Sequence, residues 1–307
     1  MNENETEAPA ETDQGQLAAR WLKEIEAAGR HEHDWRERAE KIVKRYRDDD
    51  RKSNENTKSR FNVLFANTEV LKGVIYQKTP VPDVRRRFLS RDPVGRQASQ
   101  ILQRAISYSI DCPGLEESFD DVMEAVVQDT LLPGRGVAAI KYAPVMGTDP
   151  ATGEERIVDQ SVYPQYVEWE MFRISPAKRW RKVRWIGIAD LYTRTDLVEA
   201  FGETKGKECT LDWTPKKDGE EEADDTLKRA KVWAIWNKKN RKVYFVSGGY
   251  TAGPLLEVDD PLGLENFFPC PKPVMSIHTT ASLIPVPEFV EYQDQALELD
   301  KVTERID

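Results

Sequence analysis

The sequence predicts an α+β protein: helices packed on a mixed or antiparallel sheet, followed by a long helix at the end of the chain. Three observations carry this. Apolar residues recur every three or four positions from residue 17 to about 132. From 136 to 285, short apolar or alternating runs sit between Gly-, Pro- and Asn-rich connections, and from about 286 the helical period returns.

In order, Leu17, Trp21 and Ile25 predict a first helical face, which Gly29 interrupts. Trp35, Ala39, Ile42, Val43 and Tyr46 predict a second, with Trp21 and Trp35 as core anchors rather than ligand stackers. Phe61, Leu64, Phe65, Thr68, Leu71 and Ile75 predict a third, which Thr79-Pro80 and Val81-Pro82 end. Residues 82–89 should be extended, because two prolines disfavour a helical start. Two further helices are expected around Val94–Ala105 and Leu115–Val126, joined by Cys112-Pro113-Gly114, the second stopping at Pro133-Gly134.

The β-rich part opens with Val137–Tyr142, expected as a short buried strand, and a hairpin loop at 147–158. Alternation at Val167, Trp169 and Met171 predicts a strand over 166–172, and Val183–Ile188 another, followed by a short helix at Thr193–Phe201. Residues 203–227 read as a long polar loop. Ala230–Trp236 and Lys242–Val246 flank a five-residue connection and predict a hairpin, with 248–285 irregular. The last helix carries Phe289, Tyr292, Ala296, Leu299, Val302 and Ile306 to within a residue of the end, so the natural chain is expected to continue past Asp307.

Composition narrows the function. Charged residues make up 32% against about 25% in an average domain, and hydrophobic residues 39% against about 45–50%. No apolar stretch approaches the roughly 18 residues of a membrane helix, and the N-terminus lacks the basic start and apolar core of a signal peptide. Cys112, Cys209 and Cys270 form no CxxC pair, which favours free thiols in a reducing compartment. The net charge of −9 argues against an ordinary tight DNA binder. Five acids fall in residues 1–16, expected as a disordered tail, and a second acidic run spans Asp218–Asp225.

Catalytic signatures are missing. There is no GxxxxGK[ST], and Gly134-Arg135-Gly136 lacks the lysine and hydroxyl of a phosphate cradle. There is no GxSxG elbow, and His31 and His33 stand two apart, on different sides of a helix. Neither an enzyme, nor a cofactor, nor a metal site is expected. Two basic clusters stand out. Arg85 and Arg87 would share one face of an extended segment. Lys178, Arg179, Arg181, Lys182 and Arg184 interleave with Trp180 and Trp185, a pattern that binds single strands by charge and stacking or else pairs with acids of the same chain or a neighbour.

Four segments, taken together in order and spacing, resemble the portal (head–tail connector) proteins of tailed bacteriophages, the short-tailed type in particular. They are Arg60–Leu71 (RFNVLFANTEVL), Ile75–Phe88 (IYQKTPVPDVRRRF), Asp129–Val137 (DTLLPGRGV) and Leu283–Gln295 (LIPVPEFVEYQDQ). The resemblance spans roughly residues 60–307. It implies a ring, usually of twelve copies, at one capsid vertex of the virion, assembled in the host cytoplasm. Residues 17–285 would form the wing and those from 286 the start of the stem, with no counterpart here of the clip, return stem helix or crown. Implied partners are the chain itself, the major capsid protein, the packaging terminase, the head–tail adaptor, and double-stranded DNA that passes through on packaging and ejection without tight binding.

On this resemblance Lys301, Arg305 and Glu298 are candidates to face DNA in the channel. Arg135, Arg85, Arg87, Tyr292 and Leu299 are candidates for subunit contacts. For Arg135 the alternative is a plain helix stop with glycine in a left-handed conformation. For the stripe at Tyr292, Ala296 and Leu299 the alternative is packing within the chain. The other readings are a different virion or assembly protein, a Mg²⁺-dependent nucleic-acid enzyme, and a binding module using the basic Trp patch.

Overall fold

The computed structural model describes residues 11–49, 61–86, 92–111, 117–148, 155–215 and 225–306. The protein is α+β, with eight α-helices and eight strands among the described residues, and every strand pairing is antiparallel. The chain forms two compact units. The first comprises Met1–Asp34, Glu170–Phe268 and Thr279–Ile284, the second Trp35–Trp169, Pro269–His278 and Pro285–Asp307. The chain enters and leaves each unit more than once.

The first unit is a five-stranded meander with helices on its faces. Its strands, in sheet order, are β3 (Phe172–Ile174), β4 (Trp185–Tyr192), β5 (Ala230–Asn237), β6 (Lys242–Ser247) and β7 (Leu256–Asp259). Helix α1 (Glu11–His31) lays Ala18, Trp21, Ile25 and Ala28 on Trp185, Trp233, Ile235, Tyr244 and Val246. The opposite sheet face carries Val232 and Phe245, packed with Leu197, Cys209 and Leu255. Both faces are covered, which is why β5 reads as a nearly continuous apolar run. Helices α6 (Arg194–Phe201) and α7 (Glu203–Glu208) follow β4. Thr193 caps α6 in a reciprocal box with Asp196, and Gly202, at φ +86°, ends it.

Several expectations change in this unit. The acidic tail expected over 1–16 is helical from Glu11; residues 1–10 lie outside the described part. Gly29 does not interrupt α1. The break falls at Glu32, whose N–H is shared between the carbonyls of Ala28 and Gly29 at 3.2 Å each. The polar stretch after 203 contains α7, while most of the second acidic run lies outside the described residues. The β5–β6 connection is one residue shorter than expected, because Asn237 pairs with Lys242.

The second unit begins its own core with α2 (His33–Arg47), which buries Trp35, Ala39 and Ile42. It continues through α3 (Val63–Ile75), α4 (Pro93–Asp111) and α5 (Phe119–Leu131). Asn62 caps α3 by accepting from Phe65 N–H, and Ser118 caps α5 in a box with Asp121. A hairpin of β1 (Arg135–Thr148) and β2 (Glu155–Val167) follows, joined at its base by β8 (Val274–Met275) in the order β2-β1-β8. The expected strand over 166–172 divides: β2 ends at Val167, a 3₁₀ turn covers Trp169–Met171, and β3 starts at Phe172. The chain ends in a 3₁₀ turn at Glu288–Glu291 and α8 (Gln293–Ile306).

Helix α5 packs on β1 at closest range where β1 has no side chain. A Cβ on Gly136 would stand 2.1 Å from the Val126 carbonyl oxygen. Gly134, at φ +93°, donates its N–H to Asp129 O at 2.9 Å and so closes α5. Ile42, Leu64, Leu132, Phe289 and Ala296 form a second core beside it.

A candidate assembly surface

The second unit exposes apolar side chains on regular elements. Among the described residues, all exposed large hydrophobics except Leu227 and Leu256 belong to it. On α4 the helical spacing expected to face a core is present, yet no residue of the helix whose burial is described is buried. Val94, Ala98, Ile101, Leu102, Ala105 and Tyr108 share one stripe, with Ile101 67% and Leu102 55% exposed. The stripe of α3 and the residues before it splits: Leu64 and Thr68 are buried, while Phe65 and Ile75 on the helix and Phe61 ahead of it are exposed, together with Val70 and Val74.

The hairpin is a second such element. The strand expected at 137–142 and the loop expected at 147–158 are in fact one long ribbon, buried only as far as Ala139. The register Ile140↔Pro164, Tyr142↔Val162 and Met146↔Ile157 puts these residues on one face. On that face Ile140, Tyr142, Val162, Met146 and Ile157 are each 38–54% exposed. The other face pairs Lys141 with Tyr163, Ala143 with Ser161 and the exposed Val145 with Asp159, so it is more mixed. Strand β8 pairs only with Arg135 and Gly136, and Pro269 O accepts one further bond from Ile140 N–H. A two-stranded ribbon is marginal alone in water, and an apolar face on it favours a covering surface.

Helix α8 sorts the terminal residues by direction. Its inward side is Ala296, in the second core, and Asp300, whose carboxylate pairs with the Arg45 guanidinium with both side chains nearly buried. Glu298 and Lys301 lie on an outer side, 2.6 Å apart and both exposed, and this hydrogen bond holds the Glu298 carboxyl below its usual range. Arg305 is exposed on the same side. A separate outer side carries Leu299, Val302 and Ile306, at 40%, 47% and 79% exposure. The candidate channel residues are thus together and outward, with one acid already engaged by one base.

The candidate subunit contacts separate. Arg135 is wholly buried, a correction to its expected display to a neighbour. Its guanidinium lies over the Trp35 ring at 4.3 Å, and Trp35 donates its indole N–H to Pro133 O at 2.7 Å. Trp169 meets Trp35 edge-on at 5.7 Å, and the Arg36 guanidinium lies over both rings. The Gly-Arg-Gly turn therefore presents its arginine inward, to brace the junction of α5, β1 and α2. Tyr292 is half-buried: it packs edge-on against Phe289 at 5.2 Å and borders the core of Ile42, Leu64 and Ala296. Leu299 is outward, together with Val302 and Ile306. Arg85 is exposed but forms an ion pair with Asp83 at 2.8 Å, and residues 82–86 belong to no strand. Arg87 lies outside the described residues.

The basic Trp patch also changes meaning. Trp185 is buried under α1 and donates its N–H to Glu24 at 2.6 Å, while Trp180 packs on Phe268 at 5.7 Å. Trp185 is thereby closed to stacking, while Trp180 is half-buried against Phe268. Among the described residues, no three His, Cys, Asp or Glu side chains converge as metal ligands would. The ribbon's apolar face could have been found from the alternation of Ile140, Tyr142, Pro144 and Met146. Comparison of the sequence with protein-family models and with curated proteins finds no match.

Proposed function

We propose that this chain is a structural subunit that assembles with further copies of itself through its second unit. The ring of the portal type that its sequence resembles is the form of that assembly. One observation carries the reading: α4, the β1–β2 ribbon and α8 each hold an apolar face outward on regular structure. Scattered apolar residues are normal on a surface, but aligned ones on three elements fit an interface. A ring joins two different faces of each copy, so several distinct apolar faces per chain suit it better than a two-fold dimer's single patch.

Within that reading, the outer charged side of α8 with Glu298, Lys301 and Arg305 faces the channel. There, a near balance of charge avoids holding the phosphates of passing DNA. The capsid protein, the terminase that supplies the packaging energy and the tail adaptor are its partners in turn. Negative-stain imaging of the purified chain tests the reading: rings with a central opening support it, and single particles of one-chain size at every accessible concentration overturn it.

A further inference from the structure

The assembly reading leaves one feature of the first unit unused. Lys178, Arg179, Arg181, Lys182 and Arg184 are all exposed, and among the described residues none of them pairs with a carboxylate. The β5–β6 connection adds Lys238 and Lys239, also exposed. The two segments adjoin. Lys238 N–H donates to Arg184 O at 2.9 Å, Trp185 pairs with Asn237, and both Trp180 and the Lys238 ammonium lie against the Phe268 ring. Seven cations therefore share one end of the sheet of a chain whose net charge is −9.

We infer that this cationic end is a docking surface for the phosphate backbone of duplex nucleic acid, read without regard to base sequence. It goes beyond the assembly reading and rests on different residues. Two observations choose this ligand. The patch holds no exposed large apolar side chain, whereas a protein partner's footprint has an apolar centre. Of its two tryptophans Trp185 is buried and Trp180 is half-buried against Phe268, so it lacks the row of open rings on which successive bases of a single strand stack. What remains is charge alone, three arginines suited to bidentate phosphate contact and four lysines. On an acidic chain such contact is weak and strongly salt-dependent, as suits a surface that duplex touches and leaves.

The test is fluorescence anisotropy of a labelled duplex titrated with the whole chain across a range of salt. The comparison is the variant Lys178→Gln, Arg179→Gln, Arg181→Gln, Lys182→Gln, with Arg20→Gln, Arg30→Gln, Lys41→Gln, Lys44→Gln as a charge-matched control elsewhere. Binding that weakens steeply with salt is expected. The four-site variant should lose at least about tenfold in affinity at low salt, and its slope of log K against log salt should flatten by about 3.6, near 0.9 per phosphate contact removed. The control should bind as the parent does, and an unchanged melting temperature in both variants shows that they fold. Absence of duplex binding at low salt overturns the inference, as does a four-site variant that binds like the parent. So does a single strand bound as tightly as duplex, or polyglutamate competing as well as duplex per unit charge, which would assign the surface to an acidic protein.

Discussion

Replacing Ile101 and Leu102 of α4 by Glu separates an interface from a core. In the isolated chain these side chains are 67% and 55% exposed, so they contribute little to its own stability. Full burial of an aliphatic side chain is worth about 1.5–3 kcal/mol. Scaling by the exposed fractions gives about 2–3.5 kcal/mol gained by the pair when a neighbouring copy covers α4. At about 1.4 kcal/mol per tenfold, its loss weakens each subunit contact by about 30- to 300-fold, before the further cost of desolvating two carboxylates. Glu is a better helix former than Ile, so the helix itself is not weakened. The assay pairs sedimentation velocity with thermal unfolding of Ile101→Glu, Leu102→Glu. The assembled species should dissociate at concentrations where the parent remains assembled, with a melting temperature for the dissociated chain within a few degrees of the parent monomer. An unchanged assembly would remove α4 from the interface, and a collapse in melting temperature of the monomer would make the stripe a core face after all.

Three other outcomes follow from the fold. Gly136→Ala should destabilise the second unit by about 1–3 kcal/mol or more in denaturant titration, because its Cβ meets the Val126 carbonyl oxygen at 2.1 Å, and backbone there cannot yield as a side-chain tip does. Asp120 accepts hydrogen bonds from the Tyr76 and Thr79 hydroxyls, which hold its carboxyl below the usual range. Its contribution is therefore fully present above the ordinary carboxylate pKa of about 4 and lost as pH falls through the lowered native value, so Asp120→Asn should flatten the acid limb of stability below about pH 4. Cys209 and Cys270 are both buried, and burial pushes the Cys270 thiol up to about 12. In a Cys112→Ser background, native protein at pH 8 should resist thiol reagents that label both sites promptly in denaturant.

Local signals were legible in the sequence wherever one element decides its own fate. The proline stop after Ile75 and the Gly134 turn both show in the residues. So did the α+β class and the anchoring of Trp21 and Trp35. What was hidden is what each apolar face meets. The stripe of α4 has the spacing of a core helix and lies in the open, because periodicity reports that a face exists and not what covers it. Arg135 shows the reverse: an arginine between glycines reads as displayed, yet Gly136 draws β1 onto α5, and the side chain fills the space beside Trp35. The basic patch was visible by composition, but only the packing of Trp180 on Phe268 and of Trp185 under α1 separates charge from stacking. The terminal stripe was one line in the sequence and two in the structure, since Asp300 follows Ala296 inward to reach Arg45.

The most direct measurement is the native mass of the chain across a concentration series, by sedimentation equilibrium or native mass spectrometry. Twelve copies of the 35.2 kDa chain come to about 420 kDa. A closed species of several hundred kDa, with few intermediates between it and the single chain, is the expected result for a ring subunit. A single chain that stays at 35.2 kDa up to its solubility limit contradicts self-assembly through the second unit.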